Sequence, residues 1–295
     1  MKRTLFRLTA ILLVGSTLLQ SCRADLGKIL DKDNPVTKEN TKKGKELLGQ
    51  AWKTQGLDSL SKHQVYSYDS HDEWKGILGS MGKVWPDKKG DMSFKYKVGT
   101  FDGQVTFKGG KRNGEVAGLQ NWNYYEIGEE QDTVFQKRDK RLVFGISAFQ
   151  YFGEMVDRLK NAPIIVYAGE DEARGEMYDL VVCTWKTIEA HDESDQYVVW
   201  INKKTKMVDY VQYTIRENYL KMPGYKMMYG GIEFGNYKTI DGVQIPHEQT
   251  VFVFDIKKKK KKYLHQLTIT NFKFDSFDPN DLVIDEAKGV GGDFK

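Results

Sequence analysis

Few residues in this chain are spaced for catalysis. The five histidines, His63, His71, His191, His247 and His265, stand apart, and no pair has the short spacing of a common metal motif. There is no His-Glu-x-x-His and no Cys-x-x-Cys. Gly145-Ile146-Ser147-Ala148-Phe149 comes nearest to a nucleophile elbow, but it lacks the second glycine and starts a helical pattern. Gly109-Gly110-Lys111-Arg112-Asn113-Gly114 lacks the order of a phosphate loop and precedes no helix pattern, so it reads as a hairpin turn. Carboxylates are plentiful, and a catalytic pair assembled by folding stays open, but the sequence singles none out. The expectation is a protein that is not an enzyme and that needs no cofactor or metal.

The cysteines carry more information. Lys2, Arg3 and Arg7 form a positive start, Leu8 to Leu19 is uncharged and mostly apolar, and Leu19-Gln20-Ser21-Cys22 follows. A charged start, a short apolar core and a small residue before the cut form the general export pattern. The Leu-x-Ser-Cys ending resembles the lipobox of bacterial lipoproteins. That resemblance implies cleavage between Ser21 and Cys22, a diacylglyceryl group on the Cys22 thiol and an acylated amino group. An ordinary secretory signal with an incidental cysteine is the alternative. The apolar run is shorter than the roughly 20 residues a bilayer-spanning helix needs, so the expected product is tethered to a membrane rather than embedded in it. With Cys22 acylated, Cys183 has no disulfide partner, and Tyr178–Trp185 reads as a half-buried strand carrying a structural thiol.

Removing residues 1–21 changes the charge. Three of the 45 basic residues go with the signal, leaving 42 against 41 acidic ones and a net charge of about +1. This gives no reason to invoke nucleic acid. The hydrophobic fraction of 40% supports a core, and 16 Tyr, 15 Phe and 6 Trp suit a β-rich chain.

Residues 22–40 are polar and charged and read as a lipidated flexible stalk. Residues 41–286 read as one β-rich domain, and 287–295 as a loose glycine-rich tail. A helix is expected over Thr41–Gln55, where Leu47 with Ala51 and Leu48 with Trp52 share a face ahead of Gly56. A second is expected over Ser147–Asn161, with Ser147 as N-cap and Phe149, Phe152, Val156 and Leu159 as its stripe. That stripe serves as core or as a ligand-facing lid. Strands are expected from Val65, over Met92–Val98, Phe101–Phe107, Glu115–Tyr125, Met177–Thr187, Gln196–Asn202, Met207–Arg216, Tyr229–Thr239, Val243–Ile256 and Tyr263–Phe274. Asp241-Gly242 is a hairpin turn, and Lys257–Lys262 reads as a solvated turn that protects an edge, or as a site for anionic headgroups. Leu267 and Ile269 have one parity and Phe272 and Phe274 the other, which a bulge near Thr270-Asn271 reconciles.

The C-terminal half carries a family resemblance. The strand-turn-strand Asp195–Val208 is followed by Phe234–Pro246, in which Tyr237, Gly242, Ile245 and Pro246 are similar to a stretch of outer-membrane lipoprotein-sorting relatives. Leu267–Phe272 resembles their closing strand, and Leu47–Trp52 with Gly56–Leu60 their opening helix. Together these resemble the LolA/LolB-like superfamily of periplasmic lipoprotein carriers and outer-membrane lipoprotein receptors. The resemblance implies a mainly β (α+β) fold, an incomplete antiparallel β-barrel capped by a few helices, around a cavity for acyl chains. It brings no catalytic residue. Trp122, Tyr124, Phe149, Phe152, Trp185 and Trp200 are the candidate cavity residues, and each serves equally well as core.

Three functions follow as expectations. The first is a membrane-anchored module binding a hydrophobic ligand or acylated protein. The second is an accessory lipoprotein of an envelope complex with a filled core. The third, ranked last, is a saccharide binder using exposed tryptophans. The residues after Cys22, Arg23-Ala24-Asp25, lack an immediate aspartate, and by resemblance to lipoprotein sorting this favours the outer membrane, facing the periplasm, with surface exposure left open.

Overall fold

A computed structural model of the chain describes residues 23–128, 133–134, 139–216, 224–253, 263–284 and 290–291. The expected signal, Ser21 and Cys22, the lysine run and all but two residues of the tail lie outside them.

The first helix, α1 (Lys38–Thr54), is capped by Thr37, whose hydroxyl accepts from the Asn40 N–H at 3.0 Å. It buries Gly44, Leu48 and Ala51, a helical spacing. Gly44 is required by proximity: a Cβ there would stand 2.7 Å from the Tyr167 nitrogen. Next come β1 (Val65–Trp74), the short α2 (Gly76–Gly82), β2 (Lys89–Lys97), β3 (Gly103–Phe107), β4 (Val116–Gln120), β5 (Asn123–Ile127) and the two-residue β6 (Thr133–Val134). Helices α3 (Lys140–Gly153) and α4 (Met155–Leu159) lead to a run of strands. These are β7 (Ile164–Ala173), β8 (Glu176–Thr184), β9 (Gln196–Asn202), β10 (Val208–Thr214), β11 (Tyr229–Ile240), β12 (Val243–Val253) and β13 (His265–Phe274), with β14 (Val290–Gly291) last.

All fourteen strands form one sheet, ordered β14-β5-β4-β3-β2-β1-β13-β12-β11-β10-β9-β8-β7, with β6 beside β5. The chain meanders outward from β1 to β5, crosses through α3 and α4 to the far edge, and meanders back until β13 pairs with β1 antiparallel. Among the described residues the outermost strands do not pair with each other, so the barrel is open. The expected class, mainly β with helices capping an incomplete antiparallel barrel, is what the chain adopts.

The two faces of the sheet are filled differently. One large cluster joins the inner face to α1, α3 and α4, with Tyr66, Tyr68, Phe94 and Tyr96 packed ring to ring. The outer face of β7–β12 holds a smaller cluster, including Leu180, Val182, Trp200 and Tyr210. Leu26, Ile29 and Leu30 cover it. Residues 23–30, expected within the flexible stalk, are thus packed against the sheet. Gln196 Oε1 accepts from the Leu26 N–H at 2.9 Å, and Ala24 and Gly27 are buried. Their polar composition hides three apolar residues whose spacing matches a 3₁₀ turn, Leu26–Ile29.

Other differences have local causes. Helix α3 starts at Lys140 because Asp139 caps it, accepting from the Arg141 N–H at 2.8 Å. Ser147 is interior, its hydroxyl donating to the Val143 and Phe144 carbonyls at 3.0 and 3.1 Å. Glu115–Tyr125 is two strands rather than one. Asn121 and Trp122 have φ of 49° and 63° and make a two-residue turn in which tryptophan gives no sequence signal. Strand β7 went unread because its second half, Gly169–Glu172, is charged.

The bulge in β13 falls where parity demands. Ser67 pairs with Lys273 and Asp69 with Thr270, so two residues of β13 face Tyr68 alone, and Asn271 takes φ of 53°. Asp69 clamps it, accepting from Asn271 Nδ2 at 2.8 Å and Lys108 Nζ at 2.6 Å, and from the Ser93 hydroxyl. Burial alone would raise the Asp69 pKa, but the bonds from Asn271, Lys108 and Ser93 outweigh it and hold the carboxyl at about 2. The ionised form therefore stabilises the fold. That contribution is full above the unfolded value of 3.8 and is lost as pH falls toward about 2. Asp69→Asn is expected to flatten this acid-side loss, read as denaturant midpoints between pH 2 and pH 5. An unchanged slope would remove Asp69 from the account.

Cys183 is fully buried on β8, and burial pushes its thiol pKa up. Native protein is expected to leave it unreacted with a thiol reagent for as long as it stays folded, and denaturant to expose it. Rapid native labelling would show that β8 opens locally.

Candidate ligand cavity

A cavity of about 300 Å³ lies between α3 and one end of the half-barrel. Helix α3 supplies one wall through Phe144, Ala148, Tyr151 and Phe152, residues that recur at three- and four-residue spacing. Tyr197, Tyr213, Val251 and Val253 from β9, β10 and β12 form the opposite wall. Lining residues reach solvent at Leu78 of α2, the mouth, and at Trp122, whose left-handed turn lies at the other end of β4 and whose ring is tilted 4.7 Å from that of Phe101. Gly145 lets α3 approach the loop after α2, since a Cβ there would stand 2.8 Å from Trp85 Cη2. The glycine of the apparent elbow serves packing.

Polar groups in the wall are engaged with each other. Asp195 accepts from the Thr214 hydroxyl at 2.9 Å. His265, 2% exposed, lies 2.7 Å from Asp72 Oδ2 through Nε2, and Trp85 Nε1 donates to the same oxygen at 3.2 Å. Trp74 stacks on the His265 ring at 4.3 Å. An aspartate and a histidine in contact invite comparison with a catalytic dyad, but Ser147 spends its hydroxyl on the helix backbone. Among the described residues no group of His, Cys, Asp and Glu could hold a metal ion, and no helix is long and apolar enough to cross a membrane. What the cavity offers chemically is apolar surface of a volume at the small end of ligand pockets.

The six candidate residues divide evenly. Trp122, Phe149 and Phe152 line the cavity. Tyr124 is buried away from it on β5, with its hydroxyl on Glu126. Trp185 lies one layer behind the wall, edge-on to Tyr197 at 6.1 Å. Trp200 is on the outer face, its indole N–H donating to Gln212 Oε1 at 2.9 Å, because strand alternation puts Val199 and Ile201 inside. Phe144 was missed because α3 was expected to begin at Ser147, and Ala148 and Tyr151 because they lie off the expected stripe of Phe149, Phe152, Val156 and Leu159. From Asp139 onward their stripe is legible.

An open antiparallel half-barrel with helices on its inner face and an apolar cavity under them is the architecture that the LolA/LolB resemblance implied. Two solved structures share this fold. A DUF1329 family protein from Desulfovibrio piger superposes with a TM-score of 0.51 at 13% identity, covering 84% of this chain and 98% of that one. A protein from Vibrio parahaemolyticus described as an outer membrane lipoprotein-sorting protein domain gives 0.51 at 11% identity, covering 82% and 97%. A LolA superfamily protein from Nitrosomonas europaea gives 0.49 at 9% identity, covering 83% and 98%. No protein-family model and no curated protein sequence matches the chain. At these identities the likeness is one of fold.

Proposed function

We propose that this chain is a lipid-anchored protein of the bacterial envelope that binds a hydrophobic ligand, acyl chains in the first place, without chemically changing it. The observation that carries this is the cavity itself, apolar along α3 and on the facing strands, and open at Trp122 and Leu78. Acyl chains would leave water for it at about 0.8 kcal/mol per CH₂. The lipobox-like ending at Cys22 supports the anchor, and the fold's likeness to a lipoprotein-sorting domain supports the envelope, with the periplasmic side of the outer membrane as the proposed place. The test is native mass spectrometry of full-length protein released from bacterial membranes, followed by lipid extraction. A mass increment for acylated Cys22 plus co-purified lipid, or stoichiometric uptake of an acylated peptide, supports the reading. An apo mass that takes up nothing sinks it in favour of an accessory lipoprotein with protein partners.

A further inference from the structure

Apolar side chains facing water gather at the cavity mouth. Of the eight large apolar residues exposed among the described residues, four lie on two segments that contribute lining residues at this end: Ile77, Leu78 and Met81 on α2, and Met227 between β10 and β11. Ile77 is 81% exposed and Met227 53%. Three of them sit on α2, in an uncharged heptapeptide bracketed by Lys75 and Lys83. Met227 lies between Tyr225 and Met228, both of which line the cavity. Single exposed apolar residues are ordinary, but a patch around an opening marks a surface that meets something.

The other observation is independent of exposure. The first residues after Cys22 are fastened to the same rim. The Ala24 N–H donates to the Lys226 carbonyl at 2.8 Å, and the Ala24 carbonyl accepts from Arg216 Nη2 at 2.6 Å. Arg23 pairs with Asp192 at 2.6 Å, which Lys226 also meets at 3.0 Å. Arg216 follows Ile215 and Lys226 follows Tyr225, and both Ile215 and Tyr225 are wall residues. Arg23, the residue bonded to Cys22, is therefore held at this rim, and each residue of chain before it reaches at most about 3.6 Å.

We propose that the cavity mouth seats directly on a lipid bilayer, with α2 and Met227 in the interface, so that ligand passes between bilayer and cavity without crossing water. The proposal rests on the reading that Cys22 is acylated. Acyl chains on Cys22 must enter the bilayer, and the clamp at Ala24 then leaves the rim beside it no room to face elsewhere.

The test uses acylated full-length protein in phosphatidylcholine–phosphatidylglycerol vesicles, with single spin labels replacing Ile77, Met227 and Met177. Met177, at the opposite end of β8, is the reference. Collision with lipid-dissolved oxygen is expected to exceed collision with an aqueous nickel chelate several-fold at 77 and 227, and the reverse at 177. Equal water access at all three positions, in protein that floats with the vesicles, overturns the orientation and leaves the anchor standing. Protein that does not float overturns both. Shielding at 77 and 227 that appears without vesicles and grows with protein concentration overturns it in favour of self-association. Ile77→Asp, at an exposed position, is expected to slow transfer of acyl chains from vesicles several-fold while leaving binding of the same lipid delivered from dilute detergent unchanged.

Discussion

Glu154→Ala is expected to destabilise the protein by about 3–5 kcal/mol, because it leaves a guanidinium without its counter-ion in the interior. Glu154 joins α3 to α4, and its side chain is 2% exposed. It accepts from Arg158 Nη2 at 2.7 Å, from the Gly99 N–H at 3.2 Å and from Gln150 Nε2 at 3.1 Å. Arg158 in turn lies 4.2 Å over the Phe101 ring, and Phe101 lines the cavity. The network thus ties the helix crossover to the β2–β3 loop. In a chain of this size the loss corresponds to a midpoint lower by about 10 °C. Burial raises the Glu154 pKa, and Arg158, then Gln150, hold back part of the rise. A raised carboxyl pKa means that folding favours the protonated form. Its contribution is full below the unfolded value of 4.5 and is lost as pH climbs through the folded value. Glu154→Gln keeps an acceptor for Gly99 and is expected to remove that slope. Thermal melts of the three proteins from pH 4 to pH 7 decide this, and an alanine variant within 1 kcal/mol of the parent would show that Arg158 finds other partners.

The sheet was legible because its strands obey period two over a face that must be buried. Gln196–Asn202 was read to the residue, and Asp241-Gly242 announced its turn through a pair of residues tolerant of positive φ. The bulge in β13 was legible for the same reason, since Ile269 and Phe274 cannot both face inward without an extra residue. Legibility failed where a tertiary partner supplies what the local sequence lacks. His71-Asp72-Glu73 looks like a polar loop, yet β1 continues through it because Asp72 is matched by His265 and Trp85. Helix α2 carries three glycines among seven residues, which propensity argues against. Trp200 was placed on the wrong face because aromatic content says nothing about parity, whereas pairing with Tyr210 across an outer cluster does. The cavity was foreseeable in kind and only half foreseeable in its residues. Part of its long wall depends on where α3 begins, and the signal for that is Asp139, the N-cap.

Ala148→Phe is expected to weaken ligand binding about a hundredfold while leaving the fold intact. Ala148 is 9% exposed on α3 and lines the cavity, with Phe144 and Phe152 one turn away on either side. A phenylalanine there extends an existing aromatic stripe into empty space, so it costs little beyond helix propensity, about 0.5 kcal/mol. It fills room that three or four methylenes of a ligand would occupy. At about 0.8 kcal/mol per methylene, affinity should fall by roughly 3 kcal/mol, or about a hundredfold. Met177→Phe, an exposed change at the other end of the sheet, should leave binding within twofold. Titration of a soluble acylated peptide into each variant, followed by native mass spectrometry or calorimetry, reads the difference directly. If Ala148→Phe binds as the parent does, the acyl chain lies elsewhere, and the apolar space under α3 is a packing defect of an open barrel. If it fails to bind and melts at the parental temperature, the loss belongs to the cavity and not to the fold. Residues 144, 148, 151 and 152 then define the surface on which ligand length is measured.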